Sequence, residues 1–284
     1  MHKLQKLYIM IKKIIHIADI HIPNTLDNRP YNVMLMEFIS DLNETIKNYN
    51  KDEIRIVIAG DTFQQKIKVT NEAKIMFHQM LNALNFLGKT IIIAGNHDML
   101  ENNKDRKDSL TPTFEIKDVY KNVIYADKIL NYKSGYIIDD NIIWALYSMH
   151  DNFSNPNIRD LKTKYPDKKI IGLYHGEVVG AVTDNGRMSE SGIDTNLFEG
   201  CDCVMAGHIH KFQEIKKKGI PIVYSGSLFQ QDYGENVTGH GYVVWNVEDL
   251  KYSLHEVKND YSIYKFSISS YDDIDEDVEK LLNY

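Results

Sequence analysis

Apolar residues along this chain fall into three spacings. Short uninterrupted runs dominate the first hundred residues: "KKIIHIADIHI" over 12–22, "IRIVIAG" over 54–60 and "KTIIIAG" over 89–95. Each reads as a strand, and the lack of alternation points to burial on both faces. Between them the spacing becomes helical. Residues 31–49 carry Val33, Met34, Leu35, Phe38, Ile39, Leu42 and Ile46 on one face, and 69–88 form a second helix with Thr70 or Asn71 as N-cap and Gly88 just past its end. Farther on, strands pair through tight turns. Three hairpins are expected, turning at Asp139–Asn141, at Lys218–Gly219 and at Glu248–Asp249. The whole reads as an α/β fold, a sheet sandwich flanked by helices, with parallel strands early and antiparallel additions later. The acidic tail "SSYDDIDEDVEKLLNY" reads as one amphipathic helix.

Composition narrows the class. With 284 residues, 43% of them hydrophobic, the chain can bury a large core, which argues against disorder. No apolar run approaches the roughly 20 residues of a membrane span, and the N-terminus lacks a signal-peptide cleavage pattern. Cys201 and Cys203 lie one residue apart, sharing a face if on a strand but poorly placed for a disulfide. A soluble, cytoplasmic or otherwise intracellular protein in a reducing compartment is expected. A net charge of −7 opposes coating of nucleic acid by bulk electrostatics but not a local groove.

Five apolar segments stop at polar side chains able to bind metal: "IADIH", "IAGDTF", "IAGNHD", "GLYHGE" and "MAGHIH". Strand ends of an α/β sheet converge on a common crevice, so the set can meet in space. Residues two apart on a strand share a face, which would pair Asp19 with His21 and His208 with His210 while Ile20 and Ile209 pack inward. A glycine before Asp61, Asn96 and His208 permits tight turns. Asp19, His21, Asp61, Asn96, His175, His208 and His210 supply imidazoles, carboxylates and an amide oxygen. That mixture suits manganese, iron or zinc better than calcium or magnesium alone. Seven ligands exceed the need of one catalytic ion but serve two if Asp61 bridges, and two ions about 3.5–4 Å apart form a clamp for phosphate-ester hydrolysis. The remaining histidines, His16 and His150 among them, read as structural.

The ordered set "DIH", "GD", "GNHD", "H", "GHIH" resembles the signature of calcineurin-like metallophosphoesterases from about Ile14 to His210. Within that superfamily the chain is similar to the meiotic-recombination-eleven/SbcD nucleases, through "IIHIADIHI", "GDTF" and "IVYSGSLFQQDYGE" followed by "HGYVVWNV". The resemblance implies a β-sandwich nuclease domain over 1–241 and the start of a short or truncated capping region over 242–284. It implies that Asp19, His21, Asp61 and His210 hold one Mn2+ and that Asp61, Asn96, His175 and His208 hold the other. His97 would approach the scissile phosphate as an acid or donor, its ring oriented by Asp98. The activity implied is manganese-dependent exonucleolytic and endonucleolytic cleavage of DNA in repair and recombination. DNA and an SbcC-type ATPase are the implied partners, no membrane is, and homodimerisation is left open.

Two departures from the family pattern shape the expectation. Gln64, a candidate substrate contact, stands where the family commonly has His and cannot cycle a proton near neutral pH, so a weaker exonuclease is expected. Little sequence follows the start of the capping region, so weak binding of duplex DNA is expected. Two other readings compete: a phosphodiesterase acting on a small nucleotide or phosphoprotein, and a weakly active scaffold that docks an ATPase.

Overall fold

Two six-stranded sheets, each with four parallel strands at its centre or side, form the frame of the molecule in a computed structural model that describes residues 10–26, 29–116, 119–183, 185–217 and 219–264. In chain order the strands and long helices are β1 (Lys13–Ile17), α1 (Arg29–Ile46), β2 (Ile54–Ala59), α2 (Asn71–Leu87), β3 (Lys89–Ile93), β4 (Val123–Tyr125), β5 (Gly135–Asp139), β6 (Ile142–Leu146), β7 (Lys169–His175), β8 (Cys203–Gly207), β9 (Gln213–Lys217), β10 (Ile220–Tyr224), β11 (Gly241–Asn246) and β12 (Tyr252–Glu256). The first sheet runs β12-β11-β1-β2-β3-β4 and the second β5-β6-β7-β8-β10-β9. Strands β1 to β4 are mutually parallel, as are β6, β7, β8 and β10, while β11, β12, β5 and β9 add in antiparallel sense. The expected fold class therefore holds.

Period-two side chains divide the core into layers. Ile14 on β1 and Ala18 just past its end face the second sheet in a cluster with Val57, Trp144, Leu173 and Trp245, whereas Ile15 and Ile17 face the helices. Helix α1 buries Tyr31, Met34, Leu35, Phe38, Leu42 and Ile46 against that outer face, a spacing of three and four residues. Of the expected stripe, Val33 is instead 42% exposed. Helix α2 is capped by Thr70, whose hydroxyl accepts the Ala73 N–H at 3.3 Å, and it ends at Gly88. The far face of the second sheet is covered by loops and short helical turns carrying Ile158, Leu161 and Phe198.

Several expectations shift. Strand β1 ends at Ile17 rather than Ile22, because Asp19 and His21 adopt φ of 50° and 51° and bond through their backbone to Gly60 and Asp61. The short strand β4 carries no periodic signal of its own. The boundary expected after residue 241 falls at the start of β11, which pairs with β1 and β12, so the sandwich continues to Glu256. The expected tail helix and Lys218 lie outside the described residues. Cys201 precedes β8 and packs with the outer loops while Cys203 packs between the sheets; both are free. Among the described residues no helix is long and apolar enough to cross a membrane.

An ion pair staples the sheets. Arg55 of β2 donates from Nε and Nη2 to Asp139 at 2.7 and 3.0 Å, and Lys89 Nζ and Trp144 Nε1 add bonds of 2.9 and 3.1 Å. Burial pushes the Asp139 carboxyl up, yet Arg55 and Lys89 together outweigh it and hold it at about 2. Such a pair adds little over apolar packing, but removing one partner strands a buried charge. Asp139→Ala is expected to lower stability by about 3–5 kcal/mol in urea titrations at neutral pH. The folded pKa lies below the unfolded value, so this contribution is complete above about pH 4 and is lost as pH falls through the folded value. The gap between wild type and variant should therefore narrow in acid.

Candidate metal centre

The carboxyl ends of β1, β2 and β3 in one sheet meet those of β7 and β8 in the other, and the polar residues that follow each strand converge there. Asp19 and His21 follow β1, Asp61 follows β2, Asn96 to Asp98 follow β3, His175 ends β7, and His208 and His210 follow β8. Asp19, His21, Asp61 and His208 all hold positive φ, at 50°, 51°, 50° and 101°. The paired residues share a direction through turn geometry rather than strand pleat, and Ile20 and Ile209 do pack inward, in separate core clusters. Each such non-glycine position stores about 1–3 kcal/mol of strain, which surrounding contacts must offset.

Close approach explains the glycines. A side chain at Gly60, which has φ of 93°, would meet His175 Nδ1 at 2.2 Å, and one at Gly95 would meet Asp61 Oδ1 at the same distance. Gly95 thus lets the third turn lie directly on the second.

Donor atoms gather into overlapping groups: Asp19, His21 and His210; Asp61, His175 and His208; and His21, Asp61 and His97. Asp61 Oδ2 lies 3.7 Å from His21 Nε2 and 3.3 Å from His175 Nε2, between the first two groups. Asn96 Oδ1 stands 3.0 Å from His175 Nε2 and 2.8 Å from His208 Nδ1. His21 Nε2 and His210 Nε2 face each other at 3.1 Å, a contact that repels unless a proton or cation lies between them. The outer ring nitrogens are anchored in turn: His175 Nδ1 is 2.8 Å from the Ala59 carbonyl oxygen and His210 Nδ1 is 2.6 Å from Glu235 Oε1. This is how metal-binding imidazoles are held, with one nitrogen donating outward and the other presented inward.

Electrostatics favours a cation. Burial lowers His21 to about 3 and His208 to about 4, leaving both neutral and able to ligate near neutral pH. Burial also pushes Asp61 up, but the facing His175 and His21 hold it below the ordinary carboxylate range. On His175 the same Asp61 overcomes burial and raises it to about 9. A proton thus sits where the Asp61 carboxylate invites positive charge. Burial raises Asp19 to about 7, although both its oxygens accept the His208 N–H at 3.0 and 2.9 Å. The donor set fits divalent ions.

The residues expected to do chemistry are arranged differently from the expectation. His97 donates its backbone N–H to Asp61 Oδ1 at 2.7 Å, and its Nδ1 engages the Gln64 carbonyl oxygen at 2.9 Å. Asp98 does not orient that ring. It is fully buried, and its oxygens accept the N–H groups of Thr62, Phe63 and Gly95 at 3.0–3.2 Å, tying the turn after β2 to the turn after β3. The Gln64 side chain is exposed, and the backbone oxygen makes the contact with His97. Two carboxylates escaped the sequence reading. Glu235 holds His210, and Glu177 Oε1 lies 3.9 Å from His208 Nε2 while Oε2 accepts the Ser189 hydroxyl at 2.7 Å. Glu177 was visible as the last letter of "YHGE"; Glu235 follows no apolar strand and had only the "YSGSLFQQDYGE" resemblance to mark it.

A two-sheet sandwich with this cluster at its strand ends defines a metallophosphoesterase. Residues 12–212 match the calcineurin-like phosphoesterase family, and the chain belongs to it. Its relatives include an uncharacterised protein of Acanthamoeba polyphaga mimivirus, 35% identical over 88% of this chain and 18% of that protein. The SbcD component of the SbcCD nuclease of Bacillus subtilis is 34% identical over 78% of this chain and 63% of its own length, and that of Staphylococcus saprophyticus is 26% identical over 84% and 66%. The chain therefore spans less than two thirds of each of these relatives.

The hydrogen bonds of Asp98 separate a structural role from a catalytic one. Asp98→Asn replaces an acceptor oxygen with an amide donor facing backbone N–H groups, so a loss of about 1–3 kcal/mol is expected in denaturant melts, with weakened metal binding as the two turns loosen. Unchanged stability with reduced turnover alone would return Asp98 to the role of orienting His97.

Proposed function

We propose that this chain is a two-metal DNA nuclease, an SbcD-like protein acting in DNA end processing, recombination or repair. The observation that carries the reading is the position of Asp61 Oδ2 between His21 and His175, each belonging to a separate donor group. Similarity to the SbcD components of two bacterial SbcCD nucleases directs the choice of substrate toward DNA. Asp19, His21, Asp61 and His210 would hold one ion and Asp61, Asn96, His175 and His208 the other; the nitrogen and oxygen set suits manganese, iron or zinc, and the resemblance to SbcD nucleases selects Mn2+. Such ions supply an activated water and neutralise the charge of an in-line transition state. His97, fixed by Asp61 through its backbone, donates Nδ1–H to the Gln64 carbonyl oxygen, and its Nε2 donates toward the scissile phosphate in the imidazolium form. Gln64, exposed beside it, contacts the substrate strand. An SbcC-type ATPase is the partner, a homodimer is compatible with the reading, and the setting is intracellular.

The deciding experiment compares Mn2+-dependent release from a labelled duplex with hydrolysis of bis-p-nitrophenyl phosphate and cyclic nucleotides. Cleavage of DNA supports the reading. Hydrolysis of cyclic nucleotides without DNA cleavage replaces it with a small-nucleotide phosphodiesterase, and two bound ions with no hydrolysis replace it with an ATPase-docking scaffold.

Two substitutions test the assignment of roles. Asp61→Ala is expected to abolish cleavage and to lose both ions in metal analysis, since two like charges would lack their shared anion. His97→Ala should keep both ions while turnover falls about 100- to 10,000-fold. A missing ion in that variant would make His97 a ligand, as its place in the third donor group permits.

A further inference from the structure

The segment from Ser225 to His240 connects β10 to β11 and carries the "SGSLFQQDYGE" run, yet none of its side chains belongs to the donor groups. We infer that its function is to deliver Glu235 to His210, making Glu235 the positioning residue for the ion held by Asp19, His21 and His210. The inference rests on the two-ion reading above.

The loop grips His210 twice. Ser227 donates its backbone N–H to the His210 carbonyl oxygen at 3.0 Å. Gly226, at φ of 78°, lies so close that a side chain there would meet the same oxygen at 2.8 Å. Glu235, 5% exposed, then places Oε1 2.6 Å from His210 Nδ1. A carboxylate at that distance accepts the Nδ1–H, fixes the tautomer and leaves the Nε2 lone pair directed at His21. Glu235 is itself held, since Oε2 accepts the Gln231 N–H at 2.9 Å. Ser227 shares its hydroxyl between Glu235 at 3.5 Å and His240 Nδ1 at 2.8 Å, and His240 is anchored to the Asn236 carbonyl at 2.6 Å. Both carboxylate oxygens of Glu235 therefore have partners.

Among the described residues the second donor group has no equivalent. Glu177 stands 3.9 Å from His208 Nε2, beyond hydrogen-bond reach, and it is 35% exposed. His175 is anchored by a backbone carbonyl. Dependence on a buried carboxylate outside the donor set, acting through a ligand histidine, thus belongs to one ion and not to the other.

The test is Mn2+ titration of the full chain by calorimetry, with electron paramagnetic resonance distinguishing a coupled ion pair from a single ion. Glu235→Gln keeps the shape but removes the charge. One of the two binding steps is expected to weaken about 10- to 100-fold while the other is unchanged, and the coupled signal should give way to that of an isolated ion. Glu235→Asp, which retains the charge one methylene short, should fall between wild type and Glu235→Gln, and it serves as the readout if the amide variant does not fold. Metal-free unfolding temperatures are compared alongside, and some loss is expected in Glu235→Gln because its amide replaces an oxygen that accepts an N–H; selective weakening of one binding step is the result that supports the inference. Unchanged steps in either folded variant overturn the inference. So does equal weakening of both steps with a lower metal-free unfolding temperature, which would make Glu235 a general structural residue. A wild type that binds fewer than two ions instead defeats the two-ion reading, and the two failures are told apart before any variant is made.

Discussion

The carboxylate of Asp19, at the end of β1 in the first sheet, accepts the backbone N–H of His208, at the end of β8 in the second. With the bond from His175 Nδ1 to the Ala59 carbonyl oxygen, it fixes the strand ends of one sheet against those of the other. Everything at the centre depends on that contact, because the two groups that would each hold an ion draw residues from both sheets. A sandwich whose sheets could slide would spread the donors over a distance no ion can bridge. The contact also consumes polar groups that would be costly to bury unpaired.

Strain and burial at this end have a common cause. Presenting many lone pairs to one small volume requires backbone turns immediately after strands, and four non-glycine residues accept positive φ to make them. Neighbouring turns must also nearly touch, which is why Gly95 lies on Asp61 with no room for a side chain. Asp98 shows how such crowding is stabilised. Its buried carboxylate replaces the strand partners that the amides of Thr62, Phe63 and Gly95 would otherwise have lost.

The parts of this arrangement legible from sequence share a local signature. An apolar run that stops at Asp, His or Asn announces itself within five residues, so the donors of β1, β2, β3, β7 and β8 could be named before their positions were known. Both helices were legible too, since their buried faces repeat every three or four residues. What escaped lacks local periodicity. Strand β4 is only three residues long, and the early end of β1 depends on φ values that the apolar letters of "IADIHI" conceal. The partner of His97 is a backbone oxygen, which no side-chain pattern encodes. Adjacency in "NHD" suggested that Asp98 serves His97, yet the carboxylate points to three amides. Glu235 reaches His210 across 25 residues of chain.

Both ends of the sandwich are pinned, and by opposite chemistry. At the far end Arg55 and Asp139 carry full charges that satisfy each other, with Lys89 and Trp144 completing the acceptor. Six residues farther along the β2 segment, about 20 Å at strand rise, Asp61 is a carboxylate whose nearest cationic neighbour is a histidine raised by that same carboxylate. The first pair is complete without a ligand. The second is an anion partly compensated by a proton, and a divalent ion would compensate it better. A frame pinned by a self-sufficient pair at one end can hold an unsaturated cluster at the other, because the relative placement of the sheets does not rest on the metal alone.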